Sequence, residues 1–513
     1  MRASSGFCLV ITTGLAACGG GVDTGPAPDA DRERLQYETD IPASIITPNE
    51  METSIGTLRF EDGFPDDATV QSVYDNLDRN RGVEAFMVGM PYASMAALET
   101  AIRAYGPANE TVLIFEERMD SRSLFLTPNT ESVYMMMWME LGDGPMVLET
   151  PPNVLGIVDD AWFHYVTDFG NAGPDRGQGG KYLFLPPGYD GPVPSGYNTF
   201  QTETFGHWVI WRGFVDENGD PAPAVAMTKD VFKAYPLDQA NDPAELNFVN
   251  VSGDASFNTI HAMDFDFWEE VSSTFADEPV GGLDPETLGL FSSIGIRSGE
   301  PFAPDPRMRE ILTDAAEVGS ATVRTLAYRS RNPEGFFYEN SAWGTPFVGG
   351  SSEFITPDGV RLLDARAFFF FYATGITPAM ARQMVGVGSQ YAAAFTDENG
   401  DRLDGGMQYR LTLPAGIPAA DFWSIVLYDN QTRSMLQTDQ RFPSAGSQKE
   451  GIETNADGSV ALYFGPTLPE GVNDANWVQT VPGKGFNVLL RLYGPLEPWF
   501  EKTWRPGEFE VMN

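Results

Sequence analysis

Between Asp67 and Tyr105 apolar residues recur at helical spacing: Val70, Val73, Leu77, Val83, Phe86 and Met87. The pattern predicts a helix that Pro91 breaks or kinks. From Thr111 the period changes. "TVLIFE", "SVYMMMWMEL", "GPMVLETP", "WFHYVTDFG", "GKYLFLPPG" and "HWVIWRGFVDENGD" are short apolar runs bounded by Gly, Pro, Asn and Asp. Such runs predict the strands of a β-sandwich or barrel. A second helical region is expected from Asp242 to Arg331, clearest in "DPRMREILTDAAEVGSATVRTLAYRS", with Asp305 as its cap. Strands return in "ARAFFFFYATG", "GSQYAAAF", "FWSIVLYDN", "GSVALYFGP" and "GFNVLLRLYGP". "DENG" occurs twice and "NADGS" once, each reading as a hairpin turn that accepts positive φ. No repeat of fixed period is visible, which argues against solenoids and propellers.

The pattern divides the chain as follows. Residues 1–17 are a signal segment, 18–50 a tether and 51–110 an N-terminal helical segment. Residues 111–240 form a first sandwich, 241–335 a helical connection and 336–513 a second, jelly-roll-like domain. The expected fold class is mainly β with helical segments: two β-sandwich or jelly-roll-like domains connected by helices.

Charge narrows the partners. The 513 residues carry 72 Asp plus Glu against 32 Lys plus Arg, a formal net charge of −40. Such a surface repels phosphate backbones, so nucleic acid is not an expected partner. The two cysteines, Cys8 and Cys18, both fall in "MRASSGFCLVITTGLAACGGG". An early Arg, a short apolar stretch and Leu-Ala-Ala-Cys resemble a bacterial lipoprotein signal, which implies lipidation at Cys18 and loss of Cys8 with the leader. The expected location is then the cell envelope, lipid-anchored, at the outer membrane or periplasmic face if the cell is Gram-negative. The following Gly-, Pro- and Asp-rich stretch reads as the tether.

Two polar clusters stand out as ligand-binding candidates. One leaves the strand "FWSIVLY" in "DNQTRSMLQTDQRF" and offers Asn430, Arg433, Gln437, Asp439 and Arg441. Either these side chains face a polar or acidic ligand, or they satisfy one another, as in Arg433 with Asp439 or Arg441 with Asp429. The other is "TPNTESVY", with Asn129, Thr130 and Tyr134, joined by His164 and Asp168 of "WFHYVTDF". There a strand His could be an oriented base, or a buried ring bonded to Asp168. Clusters facing one cleft would make the default ligand site.

Known chemistries find little support. His164, His207 and His261 show no HxH or HExxH spacing, so no metal is expected. The "DENGD" loops lack the Gly and closing Glu of a calcium loop. There is no Gly-x-Ser-x-Gly elbow and no phosphate loop, and no cofactor is expected.

At these strands the chain resembles two families of unknown function that occur together in bacterial proteins, DUF1254 and DUF1214. "TPNTESVY", "GPMVLETP", "WFHYVTDFGN" and "GGKYLFLPPG" carry the first resemblance. "DGGMQYRL", "FWSIVLYDNQTRSMLQTDQRFPSAGS", "NADGSVALYFGP" and "NWVQTVPGKGFNVLLRLYGPLEPWFEKTWRPGE" carry the second. The resemblance implies two sandwich-like domains and no settled activity. Three readings remain open: a binder of a small polar or carbohydrate-like ligand, a hydrolase using His/Asp acid–base chemistry around His164, Asp168, Asp429 and Asp439, or a structural protein that assembles as a homo-oligomer.

Overall fold

The computed structural model describes residues 35–512, so Cys18, the signal segment and most of the tether lie outside the described residues. The chain divides into two compact units, Met1–Asp78 and Arg79–Asn513.

The first unit holds an antiparallel meander of β1 (Glu50–Thr53), β2 (Gly56–Glu61) and β3 (Phe64–Pro65). Asp62 and Gly63, both at positive φ, make the tight β2–β3 turn that an Asp-Gly pair favours. Asp66 then accepts the Thr69 N–H at 2.7 Å and starts α1 (Asp67–Arg103). These strands fall where the sequence suggested only helix. "EMET" and "GTLRFE" are mostly exposed on both faces and leave no alternation to detect.

Within the second unit, α1 continues through Pro91 without a break, contrary to the two-helix alternative. Ala85, Phe86, Met90, Tyr92 and Ala93 are buried, and Arg366 Nη1 donates to the Val88 carbonyl at 3.0 Å near the position where Pro91 lacks a donor. By length and composition α1 could cross a bilayer, but 72% of its apolar window is buried inside the fold.

The first sandwich is built from β4 (Thr111–Ile114), β5 (Ser132–Glu140), β6 (Met146–Thr150), β7 (Val154–Asp160), β8 (Tyr165–Gly170), β9 (Gly180–Leu185), β10 (Asn198–Gln201) and β11 (Gly206–Phe214). After α2 (Ala222–Val231), β12 (Lys233–Pro236) and β13 (Asn247–Asn250) complete it. One sheet runs β13-β4-β5-β11-β7-β8, the other β10-β9-β6-β12. β13 pairs in parallel with β4, so this sandwich extends past the boundary near 240 drawn from sequence. Helices α3 (Asp266–Asp277), α4 (Pro285–Ser293) and α5 (Pro306–Tyr328) follow, α5 capped by Asp305, which accepts the Met308 N–H at 2.8 Å.

Next come α6 (Leu363–Tyr372) and α7 (Pro378–Ala381). The second sandwich then uses β14 (Ser389–Ala394), β15 (Gln408–Leu413), β16 (Ala419–Asp429), β17 (Ser444–Gly446), β18 (Val460–Gly465), β19 (Trp477–Gln479), β20 (Phe486–Pro495) and, after α8 (Glu497–Phe500), β21 (Glu510–Met512). Its sheets run β14-β20-β16-β17 and β19-β18-β15-β21. "ARAFFFFYATG", expected as a strand, is α6. An apolar run buried on several sides has no period to separate helix from strand, and Phe369, Phe370, Phe371 and Tyr372 are all buried.

Each sandwich has its own interior. Met135, Met137, Val209 and Trp211 belong to the first, and Ile425, Leu427, Val488 and Leu490 to the second. A third core takes the opposite faces: Tyr134, Met136, Trp208 and Ile210 from β5 and β11, Val426, Tyr428 and Leu489 from β16 and β20, and the aromatic side of α6. Strands buried on both faces read as unbroken apolar runs, as "YMMMWM" and "NVLL" do. The third core contains the candidate site.

Candidate functional site

The polar loop after β16 is a network of internal bonds. Asp429 accepts the Gln431 N–H at 2.6 Å and Lys484 Nζ at 2.5 Å. Arg433 is 1% exposed and sits at a positive φ. It donates from Nε to the Phe371 carbonyl at 3.0 Å and from Nη1 to the Gln431 carbonyl at 2.6 Å. Its guanidinium lies 4.3 Å from the Phe371 ring centroid, with Nη2 unpartnered among the described residues. Burial pushes its pKa down to about 10, so it remains charged at neutral pH.

Asn430 accepts from Arg324 and Tyr328 through its carbonyl and from Asn487 through its side chain. Arg441 pairs with Glu117 at 2.8 Å and Asp120 at 3.4 Å, rather than with Asp429. Asp439 is exposed and bonded to Gln479, not Arg433, and Gln437 is exposed.

The first-sandwich cluster separates. Asn129 Oδ1 accepts from the Glu131 and Ser132 backbone and from the Ser132 hydroxyl. The Thr130 hydroxyl donates to Glu131 at 2.5 Å and shares a hydrogen bond with the Ser444 hydroxyl at 2.9 Å. His164 precedes β8 instead of lying within it; its side chain is 47% exposed and its Nδ1 lies 3.5 Å from Asp160, not Asp168. His207 and His261 are buried, and burial drives each down to about 4, so both are neutral at pH 7. No three His, Cys, Asp or Glu side chains converge on a metal geometry among the described residues. The "DENGD" loops engage Asp216 and Asp397 with their own backbone N–H groups.

Tyr134 and Asp168 lead elsewhere. Tyr134 lines a cavity of about 70 Å³ in the third core, between the outer faces of the two sandwiches. Trp208, Ile210 and Arg212 enter it from β11, Leu155 and Ile157 from β7, Tyr391 from β14, and Leu489 and Arg491 from β20. Pairing explains the grouping. Arg212 lies opposite Tyr134 on one side and Leu155 on the other, and Arg491 lies opposite Tyr391. Alternation puts Trp208, Ile210 and Arg212 on one face, while Val209 and Trp211 fill the sandwich interior.

Arg491 is 3% exposed. It donates to the Tyr428 hydroxyl and to the Thr127 carbonyl, both at 2.6 Å. Arg212 differs: it is half-buried, and its side chain makes no hydrogen bond or ion pair among the described residues. Tyr391 Oη likewise has no partner, nor do Thr374 Oγ1 and Trp208 Nε1. All four groups line the same cavity.

Arg212 also borders a smaller space of about 20 Å³, with Asp168, Thr377 and Ser389. Burial pushes the Asp168 carboxyl up to about 6, against hydrogen bonds from Thr377 at 2.8 Å and Tyr165 at 3.1 Å. A wider cavity of about 400 Å³ lies beside the end of α5, lined by Tyr328, Phe336, Phe368 and Phe395. No buried polar atom in that lining lacks a partner among the described residues.

Sequence reasoning missed Arg212 and Arg491. Their signal is a single charge flanked by apolar residues within a strand, in "HWVIWRGF" and "NVLLRLYGP".

Comparison with known proteins agrees with this architecture. No curated protein matches the chain. The crystal structure of the VPA0106 protein from Vibrio parahaemolyticus superposes with a TM-score of 0.52 at 18% identity, covering 85% of this chain and 100% of that one. A protein of uncharacterised function from Burkholderia cenocepacia gives a TM-score of 0.40 at 13% identity, over 86% and 96% of the two chains. The first likeness shows a shared fold and nothing further. Residues 110–236 match DUF1254 and residues 388–497 match DUF1214, each described as a protein of unknown function. The first match covers most of the first sandwich, the second runs from β14 through all of β20 to the first residue of α8, and the chain is a DUF1254/DUF1214 domain-containing protein.

Proposed function

We propose that this protein is a lipid-anchored, extracytoplasmic binder of a small polar molecule, held in the cavity between its two sandwiches. One observation carries the binding reading: four polar groups line one partly open cavity and meet no protein partner there, and two of them, Thr374 Oγ1 and Trp208 Nε1, are fully buried. Buried polar groups in folded proteins are bonded as a rule, so the buried Thr374 and Trp208 donors, with Arg212 and Tyr391 beside them, mark a place where a ligand or ordered water completes the bonding. Volume favours a small ligand. About 70 Å³ holds on the order of five waters, too little for a hydrated sugar ring. Asp168 is the one carboxylate in the linings of the 70 Å³ and 20 Å³ spaces, which favours binding over paired acid–base chemistry.

The anchor rests on "LAACGG" around Cys18. Cys18→Ser is expected to move the protein from the membrane fraction to the soluble one, and retention in the membrane would refute the anchor. For the binding reading, a thermal-shift screen with small polar molecules is expected to raise the melting temperature in wild type. That gain should vanish in Ala373→Phe, which places a ring in the lining. Equal gains in both proteins would move the ligand out of this cavity.

A further inference from the structure

We propose that the ligand is a small monocarboxylate with an apolar tail, its carboxylate held by Arg212; this rests on the cavity reading above. The unpartnered groups set the sign. An arginine and an indole N–H can only donate, and the Thr374 and Tyr391 hydroxyls are free to donate as well. A site built this way wants an acceptor that brings negative charge.

Charge balance sets the valence. Acidic residues outnumber basic ones by more than two to one along the chain, yet among the described residues no carboxylate lies within ion-pair distance of Arg212 or Arg491. Glu131, buried and bonded to Thr130, is the carboxylate whose charge reaches Arg491. Asp168 borders the smaller space beside Arg212, but it is held by Thr377 and Tyr165 and Arg212 does not act on its charge. Two guanidiniums against Glu131 therefore leave one positive charge at this cavity, which a monoanion neutralises and a phosphate dianion would overshoot. Planar guanidinium geometry also matches the two oxygens of a carboxylate.

The remaining lining defines the tail. Phe125, Trp208, Phe347, Phe369 and Leu489 offer apolar surface and no acceptor set for hydroxyl groups. The chemical class is therefore a short aliphatic acid, in keeping with the small volume.

Isothermal titration of the purified chain tests this with propionate and butyrate, their isosteric amides, inorganic phosphate and glucose. The acids are expected to bind about 10- to 100-fold more tightly than the amides, the range of one charge-assisted bond. Arg212→Met should erase that preference, and Arg212→Lys should keep part of it. If Arg212→Met does not fold, the acid–amide comparison in wild type still decides the matter. Equal affinity for acid and amide, stronger binding of phosphate, or an acid preference that survives in Arg212→Met overturns the inference. Amides or glucose binding as well as acids, with all binding lost in Ala373→Phe, would sink the carboxylate assignment and leave the cavity reading standing. Failure of every probe, or binding indifferent to Ala373→Phe, would sink both.

Discussion

Two interior arginines of this protein have opposite surroundings. Arg433 sits in a loop dense with Asp, Asn, Gln and Thr, and two of its three guanidinium nitrogens bond to carbonyls of its own loop and of α6. Arg212 sits near the end of an apolar strand, and none of its guanidinium donors meets a protein acceptor among the described residues. The first region has the composition expected of a binding site, and the second has the unmet bonding. Polar density in a sequence marks backbone that needs satisfying wherever a loop crosses a core. A lone charge held among apolar neighbours has no such task, so its presence asks for another partner.

This contrast breaks first at Arg433. Arg433→Met leaves the Phe371 and Gln431 carbonyls without their donor, and is expected to lower the unfolding free energy by about 2–4 kcal/mol in chemical denaturation. Cavity binding should persist in whatever fraction stays folded. A loss under 1 kcal/mol, within the usual ~0.5–3 kcal/mol range of point mutants, would show that the loop does not depend on it.

Asp168, which shares the smaller space with Arg212, sharpens the comparison through pH. Its folded pKa is raised from 3.8 to about 6, so ionisation opposes folding. The protonated form carries no penalty below pH 3.8, and stability is lost as pH rises through 6. At about 1.4 kcal/mol per unit the loss approaches an upper bound of about 3 kcal/mol. Wild type is therefore expected to lose more stability than Asp168→Asn between pH 4 and pH 7, measured by parallel denaturant titrations. Glu270 and Glu278, each pushed up to about 8 by burial, act with the same sign in both proteins and cancel in the difference. Matching pH profiles would remove Asp168 from the account.

Asp439 should matter least. It is exposed and bonded only to Gln479, so Asp439→Ala is expected to change stability by less than about 0.5 kcal/mol and binding not at all. A measurable loss of binding would return the polar loop to candidacy.

Much of the fold was legible because its strands are short, apolar and punctuated by turn residues, as at Asp216–Gly219 and Asp397–Gly400. The α6 segment was not, since five consecutive aromatics carry no period. Nor was the third core, because sequence does not show that the outer faces of β11 and β20 are buried too. For the same reason the site was half visible. Tyr134 and Asp168 were named from their polar neighbourhoods, and both line the cavities. Arg212 and Arg491 become neighbours of these groups only through strand register, which pairs Arg212 with Tyr134 and Arg491 with Tyr391. His164 failed as a strand residue because the turn closing on Asp160 takes it out of β8.

The most direct test of the account is the unfolding free energy of Arg212→Met in the absence of any ligand. An arginine unused by the fold gives a variant as stable as wild type, or more stable by about 1 kcal/mol, since a half-buried unpaired charge has been removed. A loss of 2 kcal/mol or more, on the scale of a buried charge stripped of its partner, would mean that the fold itself uses this guanidinium, and the contrast with Arg433 would disappear.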